Sequence, residues 1–144
     1  MLWIHPIVQV CAIVLAWYVF YLGTQRFRYL HLHQNAVFSW RRHAVLGVIA
    51  LGVLLAGIAG GMIMVHMHWR GFLITGIHGD MGLFIMAPFI VFGTGTGLYM
   101  NYRKKKRRIL PLIHGLNNLF ILILSSFQVV TGWGVLKTFV LGML

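Results

Sequence analysis

The stretch that decides the fold is residues 43–65, which read HAVLGVIALGVLLAGIAGGMIMV and contain no acidic residue, lysine or arginine. A helix needs about 20 mostly apolar residues to cross the hydrocarbon layer of a bilayer. Three more stretches meet this requirement, at about residues 6–23, 73–99 and 111–135. Because the connections between them are short, the sequence predicts one domain, residues 1–144. The predicted fold is an all-α membrane protein, an up-down bundle of four transmembrane helices.

The composition also indicates that lipid surrounds the protein. Apolar residues make up 60% of the chain and charged residues 9%, whereas soluble domains have about a quarter charged residues. The net charge of +11 does not indicate nucleic-acid binding, because the basic residues form short runs between the apolar stretches. Cys11 is the only cysteine, so disulfides, iron–sulfur clusters, thiolate zinc sites and covalently attached haem are excluded within this chain.

The distribution of basic residues predicts the orientation. Ten of the 12 Lys and Arg lie between the first and second stretches or between the third and fourth, whereas Arg70 and Lys137 lie on the other side. The positive-inside rule then places both termini on the periplasmic, outer side of the inner (cytoplasmic) membrane. Anionic lipid accounts for the basic run 103–108, with docking of an acidic partner as the alternative. The first stretch lacks a basic n-region and a small-residue cleavage site, so we expect a retained helix.

Four of the eight histidines occupy matching places, one near the start of each predicted helix. They are His5, His43, His78 and His114. Because successive helices run in opposite directions, His5 and His78 share the outer side, and His43 and His114 share the cytoplasmic side. Each pair comes from alternate helices, which are diagonal to each other in a four-helix bundle. This geometry suits ligands that clamp a flat macrocycle from both faces.

Imidazole is a good axial ligand for haem iron, and ionisable residues inside membrane spans are usually functional. Two imidazoles fill both axial positions and leave none open for oxygen or a substrate, which favours electron transfer. The plainer interpretation is a set of separate histidines that are hydrogen-bonded near the lipid headgroups. The repeated position, one on each helix, favours the paired interpretation.

Small and polar residues follow each histidine along one helix face, at helical steps of three or four residues. In the first, second and fourth helices they lead to a glycine near the opposite end, namely Gly23, Gly61 and Gly132. In the third helix the same steps meet bulky side chains at Ile85, Phe89 and Phe92. A kink is expected there at Pro88. The small residues indicate either room for a cofactor or close helix packing in lipid.

Several short motifs resemble the cytochrome b561 family and its bacterial relatives, whose core is a four-helix bundle with two haems. The motifs are Trp3-Ile4-His5-Pro6 with Arg26 and Arg28, Arg41-Arg42-His43 with Gly47, His78-Gly79-Asp80-Met81-Gly82, and Leu110-Pro111-Leu112-Ile113-His114-Gly115. They occur in this order over nearly the whole chain. Eukaryotic members have additional flanking helices and bind ascorbate. This chain lacks those helices, so we do not expect ascorbate binding.

The resemblance implies two non-covalent b-type haems, one held by His5 and His78 on the outer side and one held by His43 and His114 on the cytoplasmic side. It implies an electron-transfer subunit of a membrane oxidoreductase rather than a stand-alone enzyme. Related small bacterial proteins are membrane subunits that exchange electrons with quinones or redox proteins. We therefore expect lipid and other subunits of a redox complex as partners, with a quinone as a further candidate.

Five polar residues near the predicted sites complete the set of candidates. Arg41 and Arg42 are predicted to neutralise the propionates of the cytoplasmic-side haem. Asp80, the only acidic residue, is predicted to exchange protons at a quinone site, to hydrogen-bond a histidine, or to be a plain interfacial carboxylate. His66 and His68, in the predicted outer loop, are expected to cover a haem edge, line a quinone pocket, bind adventitious metal or be plain interfacial polar residues.

Other functions compete with the di-haem interpretation. A quinone-binding or structural membrane anchor would need one haem or none, and haem stoichiometry separates it from a di-haem cytochrome. A pigment-binding protein would use each histidine singly, so the pairing of positions counts against it. Ion or solute transport has little support, because the spans have few charged residues.

Overall fold

The computed structural model describes residues 2–142 as four long helices joined by short connections. The helices are α1 (Ile4–His31), α2 (Trp40–Trp69), α3 (Ile77–Tyr102) and α4 (Ile109–Val140). Each is long and apolar enough to cross a membrane. The predicted all-α, four-helix transmembrane bundle is therefore confirmed.

The helix ends differ from the predicted ends. The first helix was predicted to end near Gly23 but continues to His31, because hydropathy marks where the apolar span ends and not where the backbone stops being helical. The third helix was predicted from residue 73 but begins at Ile77. Leu73 and Gly76 have φ angles of 56° and 58°, which are left-handed, so residues 73–76 form a turn before the helix.

The four helices form a bundle in which sequence neighbours also pack together. Helix α1 packs against α2 and α4, and α3 packs against α2 and α4. The pairs α1–α3 and α2–α4 are therefore diagonal, as the sequence predicts. The buried core between them takes residues from every helix: Ala12, Ala16, Ala50, Leu51, Leu54, Met86, Ile90, Ile121 and Leu122. We call the end with connections 32–39 and 103–108 the basic end and the other the terminal end.

Helix α3 contains a wider turn directly before Pro88. Residues Met81–Met86 are π-helical, and α-helical geometry resumes at Ala87. A π-helical turn includes an extra residue, so every later side chain is shifted around the helix. This explains why the stripe of small residues that starts at His78 fails after Gly82: Ile85, Phe89 and Phe92 are exposed. The buried residues of α3 are Gly82, Met86, Ile90 and Gly93.

Candidate functional site

The four predicted histidines form two pairs, one at each end of the bundle. At the terminal end the ring centroids of His5 and His78 are 6.5 Å apart. At the basic end the ring centroids of His43 and His114 are 6.2 Å apart. All four side chains are partly buried. Each pair joins diagonal helices, which is the pairing that helix parity predicts.

The spacing of the rings fits a metal ion held between them. A metal ion lies about 2 Å from an imidazole nitrogen, so two ligands on opposite sides place their ring centroids about 6.3 Å apart. Within residues 2–142, no group of three or more His, Cys, Asp or Glu side chains could hold a metal ion. Each pair therefore offers a metal ion two imidazole ligands.

A glycine lies against each histidine ring. A Cβ atom added at Gly23 would be 3.0 Å from Cε1 of His43, and one added at Gly61 would be 2.9 Å from Cε1 of His5. The second helix pair repeats this arrangement, with distances of 3.1 Å from Gly97 to His114 and 2.9 Å from Gly132 to His78. These contacts are closer than ordinary van der Waals contact. Each imidazole is thus seated on a backbone surface that only glycine provides.

The glycine contacts show that the bundle consists of two similar helical hairpins. In α1–α2 and in α3–α4, the histidine at the start of each helix packs against the glycine near the end of the other. The glycine follows the histidine of its own helix by about 18 residues, or about 27 Å along an α-helix. Helix α3 has one residue more between His78 and Gly97, which the π-helical turn accommodates. The two pairs are therefore near opposite ends of the bundle.

In the first hairpin, a backbone carbonyl fixes the ring of His43. Nδ1 of His43 is 3.0 Å from the carbonyl oxygen of Val19. Because a carbonyl only accepts, Nδ1 of His43 carries the proton and donates it. The Nε2 atom then keeps its lone pair, which is the state that a metal ligand requires.

In the second hairpin, threonine hydroxyls take the place of the carbonyls. Thr96 Oγ1 is 3.0 Å from Nδ1 of His114, and Thr131 Oγ1 is 3.0 Å from Nδ1 of His78. Thr96 donates its own proton to the Phe92 carbonyl at 2.9 Å, and Thr131 donates to Gln128 Oε1 at 2.9 Å. A hydroxyl that gives its one proton to these oxygens accepts the hydrogen bond from the imidazole Nδ1. In that tautomer Nε2 keeps its lone pair.

Amide side chains hold the helices beside these rings. Gln128 Nε2 donates to the carbonyl oxygen of His78 at 3.0 Å, and Asn117 Nδ2 donates to that of Phe89 at 3.1 Å. Both bonds join α4 to α3. Asn118 Nδ2 donates to the backbone of His114 at 2.7 Å and is 3.3 Å from both ring nitrogens, so its strongest bond leaves the ring free.

The remaining predicted residues lie on the surface. Arg41 and Arg42 are exposed at the basic end, where the Arg41 guanidinium carbon lies 5.4 Å from the Trp40 ring centroid. Asp80 is exposed in the first turn of α3, at the terminal end. His66 and His68 were predicted in a loop, but α2 extends through both of them and they are exposed.

Sequence reasoning missed the threonine acceptors, although a signal for them exists. Thr96-Gly97 and Thr131-Gly132 are the same dipeptide at the corresponding place in two helices. The first hairpin has Leu22-Gly23 and Gly60-Gly61 there, so the hydroxyls occur only in the second hairpin.

Comparison of the chain with protein-family models, with characterised proteins and with solved structures found no match. The interpretation of the site therefore depends on the geometry of its residues.

Proposed function

We propose that this chain is a di-haem b-type cytochrome that transfers electrons between the two sides of a membrane. The observation that supports this most strongly is the pair of histidine rings at each end of the bundle, with centroids 6.5 Å and 6.2 Å apart. His5 and His78 would bind one haem iron, and His43 and His114 the other. Their protonated Nδ1 atoms and free Nε2 atoms suit axial ligation.

When bound, haem would supply reversible one-electron chemistry at its iron. The protein packs each imidazole against a glycine and places a hydrogen-bond partner at Nδ1 of His43, His78 and His114, so little rearrangement would accompany a change of redox state. Two histidines for each iron would leave no ligand position open to a substrate. The chain therefore fits an electron-transfer subunit of a membrane oxidoreductase better than a stand-alone enzyme.

We also propose that the basic end faces the cytoplasm, because it has most of the Lys and Arg residues. Both termini are then on the periplasmic side of the inner membrane. Single cysteines at Lys105 and Phe72, in a Cys11→Ser background, test this orientation. A membrane-impermeant maleimide applied to intact cells should label Phe72→Cys and not Lys105→Cys, and the opposite pattern rejects the proposal.

The partners proposed are lipid, other subunits of a redox complex and a quinone. Asp80, His66 and His68 are exposed together near the terminal end, where protonatable groups could serve a quinone. Quinol oxidation assays on the Asp80→Asn variant test this role, with unchanged turnover counting against it.

The deciding experiment is a reduced-minus-oxidised absorption spectrum of the purified protein, with haem quantified per chain as the pyridine haemochromogen. Two low-spin b-type haems per chain are expected. One haem would mean that one histidine pair is structural. No haem would reject the cytochrome and favour a quinone-binding or structural membrane anchor.

A further inference from the structure

Arg26 has an unusual environment at the basic end of the bundle. It lies on α1 one turn beyond Gly23, the glycine that contacts the His43 ring. The side chain is partly buried, and its Nε atom is buried without a hydrogen-bond partner. An unsatisfied buried donor is costly, and more so when the group is charged. The Nε–H group of Arg26 therefore lacks an acceptor among the described residues.

The surroundings of Arg26 connect it with the histidine pair. Its guanidinium carbon lies 5.7 Å from the ring centroid of Phe38, and the Phe38 ring lies 5.4 Å from the ring of His43. The phenyl ring thus contacts both the cation and the imidazole. Beside them is a surface cavity of about 370 Å³, lined by Arg26, Tyr29, Leu30, Ala36 and Phe38.

No acidic side chain of the protein can fill this position. Asp80 is the only Asp or Glu in the chain, and it lies at the terminal end. The other arginine near Arg26 on the same helix, Arg28, already donates to Gln34 Oε1 at 2.8 Å. A planar guanidinium matches a carboxylate with paired hydrogen bonds, which makes arginine the preferred partner of buried carboxylates.

We propose that Arg26 binds a propionate carboxylate of the haem held by His43 and His114. This inference depends on the proposed function and names Arg26, rather than the exposed Arg41 and Arg42, as the principal partner of that carboxylate. A lipid phosphate is a weaker fit, because Phe38 and Gly23 connect Arg26 with the imidazole. The basic residues on the terminal side, Arg70 and Lys137, are exposed. Substitution of Arg26 should therefore affect the basic-end haem only.

The test compares Arg26→Gln with Arg28→Gln in the full-length protein, each loaded with protohaem or with its dimethyl ester, whose carboxylates are blocked. With protohaem, Arg26→Gln should lower the midpoint potential of the basic-end haem alone. The cation that disfavours oxidised iron is lost, and the carboxylate charge is left uncompensated. We expect about a tenfold change in the reduction equilibrium, which is about 59 mV for one electron. Arg28→Gln should change neither potential.

The dimethyl ester identifies the partner. If Arg26 binds a propionate, Arg26→Gln should weaken the binding of protohaem at the basic end, but should weaken the binding of the ester much less, because the two changes remove the same interaction. An equal loss of affinity for both haems would assign Arg26 to a lipid phosphate and overturn the inference. The inference also fails if Arg42→Gln, and not Arg26→Gln, shifts the potential.

A second measurement is needed in case Arg26→Gln does not fold or does not bind haem. Arg26→Lys keeps the charge but not the planar fork, and redox-difference infrared spectra with carbon-13-labelled propionates should show a shifted carboxylate band relative to the wild type. An unshifted band rejects the inference while leaving the di-haem function intact. If the wild-type chain binds no haem, both proposals fail together.

Discussion

At the scale of single residues, the chemistry depends on which nitrogen of each imidazole carries a proton. The Val19 carbonyl and the hydroxyls of Thr96 and Thr131 each accept from Nδ1 of a histidine. The proposed basic-end haem would therefore have one ligand supported by backbone, His43, and one supported by a hydroxyl, His114. A backbone acceptor cannot be removed by substitution, whereas a hydroxyl can.

Thr131→Val should weaken haem binding at the terminal end by about 10–100-fold, because the acceptor that orients His78 is lost. The unpaired imidazole N–H would cost about 1–3 kcal/mol. Haem titration of the apoprotein measures the effect. Thr131→Ser keeps the hydroxyl and should bind haem like the wild type, and Thr138→Val changes an exposed threonine on the same helix. Equal binding by Thr131→Val and Thr138→Val would contradict the role of Thr131.

At the scale of helices, the glycines set how closely the two helices of a hairpin approach at each histidine. Gly132 contacts the His78 ring, whereas a Cβ atom at Gly134 would meet nothing within 4 Å. Gly132→Ala should therefore displace His78 at a cost of about 1–3 kcal/mol and reduce haem occupancy at the terminal end. Gly134→Ala should leave both haems bound and raise the stability of the helix by up to about 1 kcal/mol.

Absorption spectra and thermal unfolding of the two glycine variants provide the measurement. Because the residues are two positions apart on the same helix, their depths along the helix axis are nearly matched. If both variants lose haem equally, helix packing in general, and not the contact with His78, would be the reason for glycine at this place.

The π-helical turn of α3 leads to a prediction about deletions. Phe84 lies within this turn and is 65% exposed. Deleting it should convert the turn to α-helix, and the residues before and after the turn should keep their present orientation toward the bundle. Deleting Ile123, which is 55% exposed in the α-helical part of α4, should rotate the following residues by about 100°. We expect two haems in the Phe84 deletion and loss of the terminal-end haem in the Ile123 deletion. The number of haems per chain, measured for each deletion, tests this account. Loss of a haem from the Phe84 deletion with two haems in the Ile123 deletion would contradict it.

At the scale of the whole molecule, the pairing of diagonal helices determines which of the proposed haems each histidine would hold. His43→Ala and His114→Ala should each remove the basic-end haem and leave the other bound, since His5 and His78 remain in place. Potentiometric titration of each variant should then show one component instead of two. Loss of the terminal-end haem from His43→Ala, with the basic-end haem retained, would overturn the pairing.

Much of the fold could be predicted because the bilayer imposes it. Four apolar runs gave the spans, and the alternation of helix direction gave the partners of His5 and His43. The inward face of α3 could not be predicted, since residues 81–86 have no local signal for a π-helical turn. The sequence holds one indirect clue, the additional residue between His78 and Gly97 relative to the other helices. The burial of Arg26 without a hydrogen-bond partner at Nε depends on tertiary contacts. The sequence alone therefore favoured Arg41 and Arg42 as the partners of the haem propionates.

Each hairpin supplies one imidazole to each pair, so neither half of the molecule contains a finished site. A ligand that bridges the rings at one end would act as a cross-link between the hairpins and would hold the distant pair closer to its final spacing. Binding of the first ligand would therefore already have cost part of the conformational entropy that binding of the second ligand requires. This is a source of positive cooperativity. We expect haem titration of the apoprotein to give a Hill coefficient above one, whereas independent filling would show that the two hairpins are already locked together.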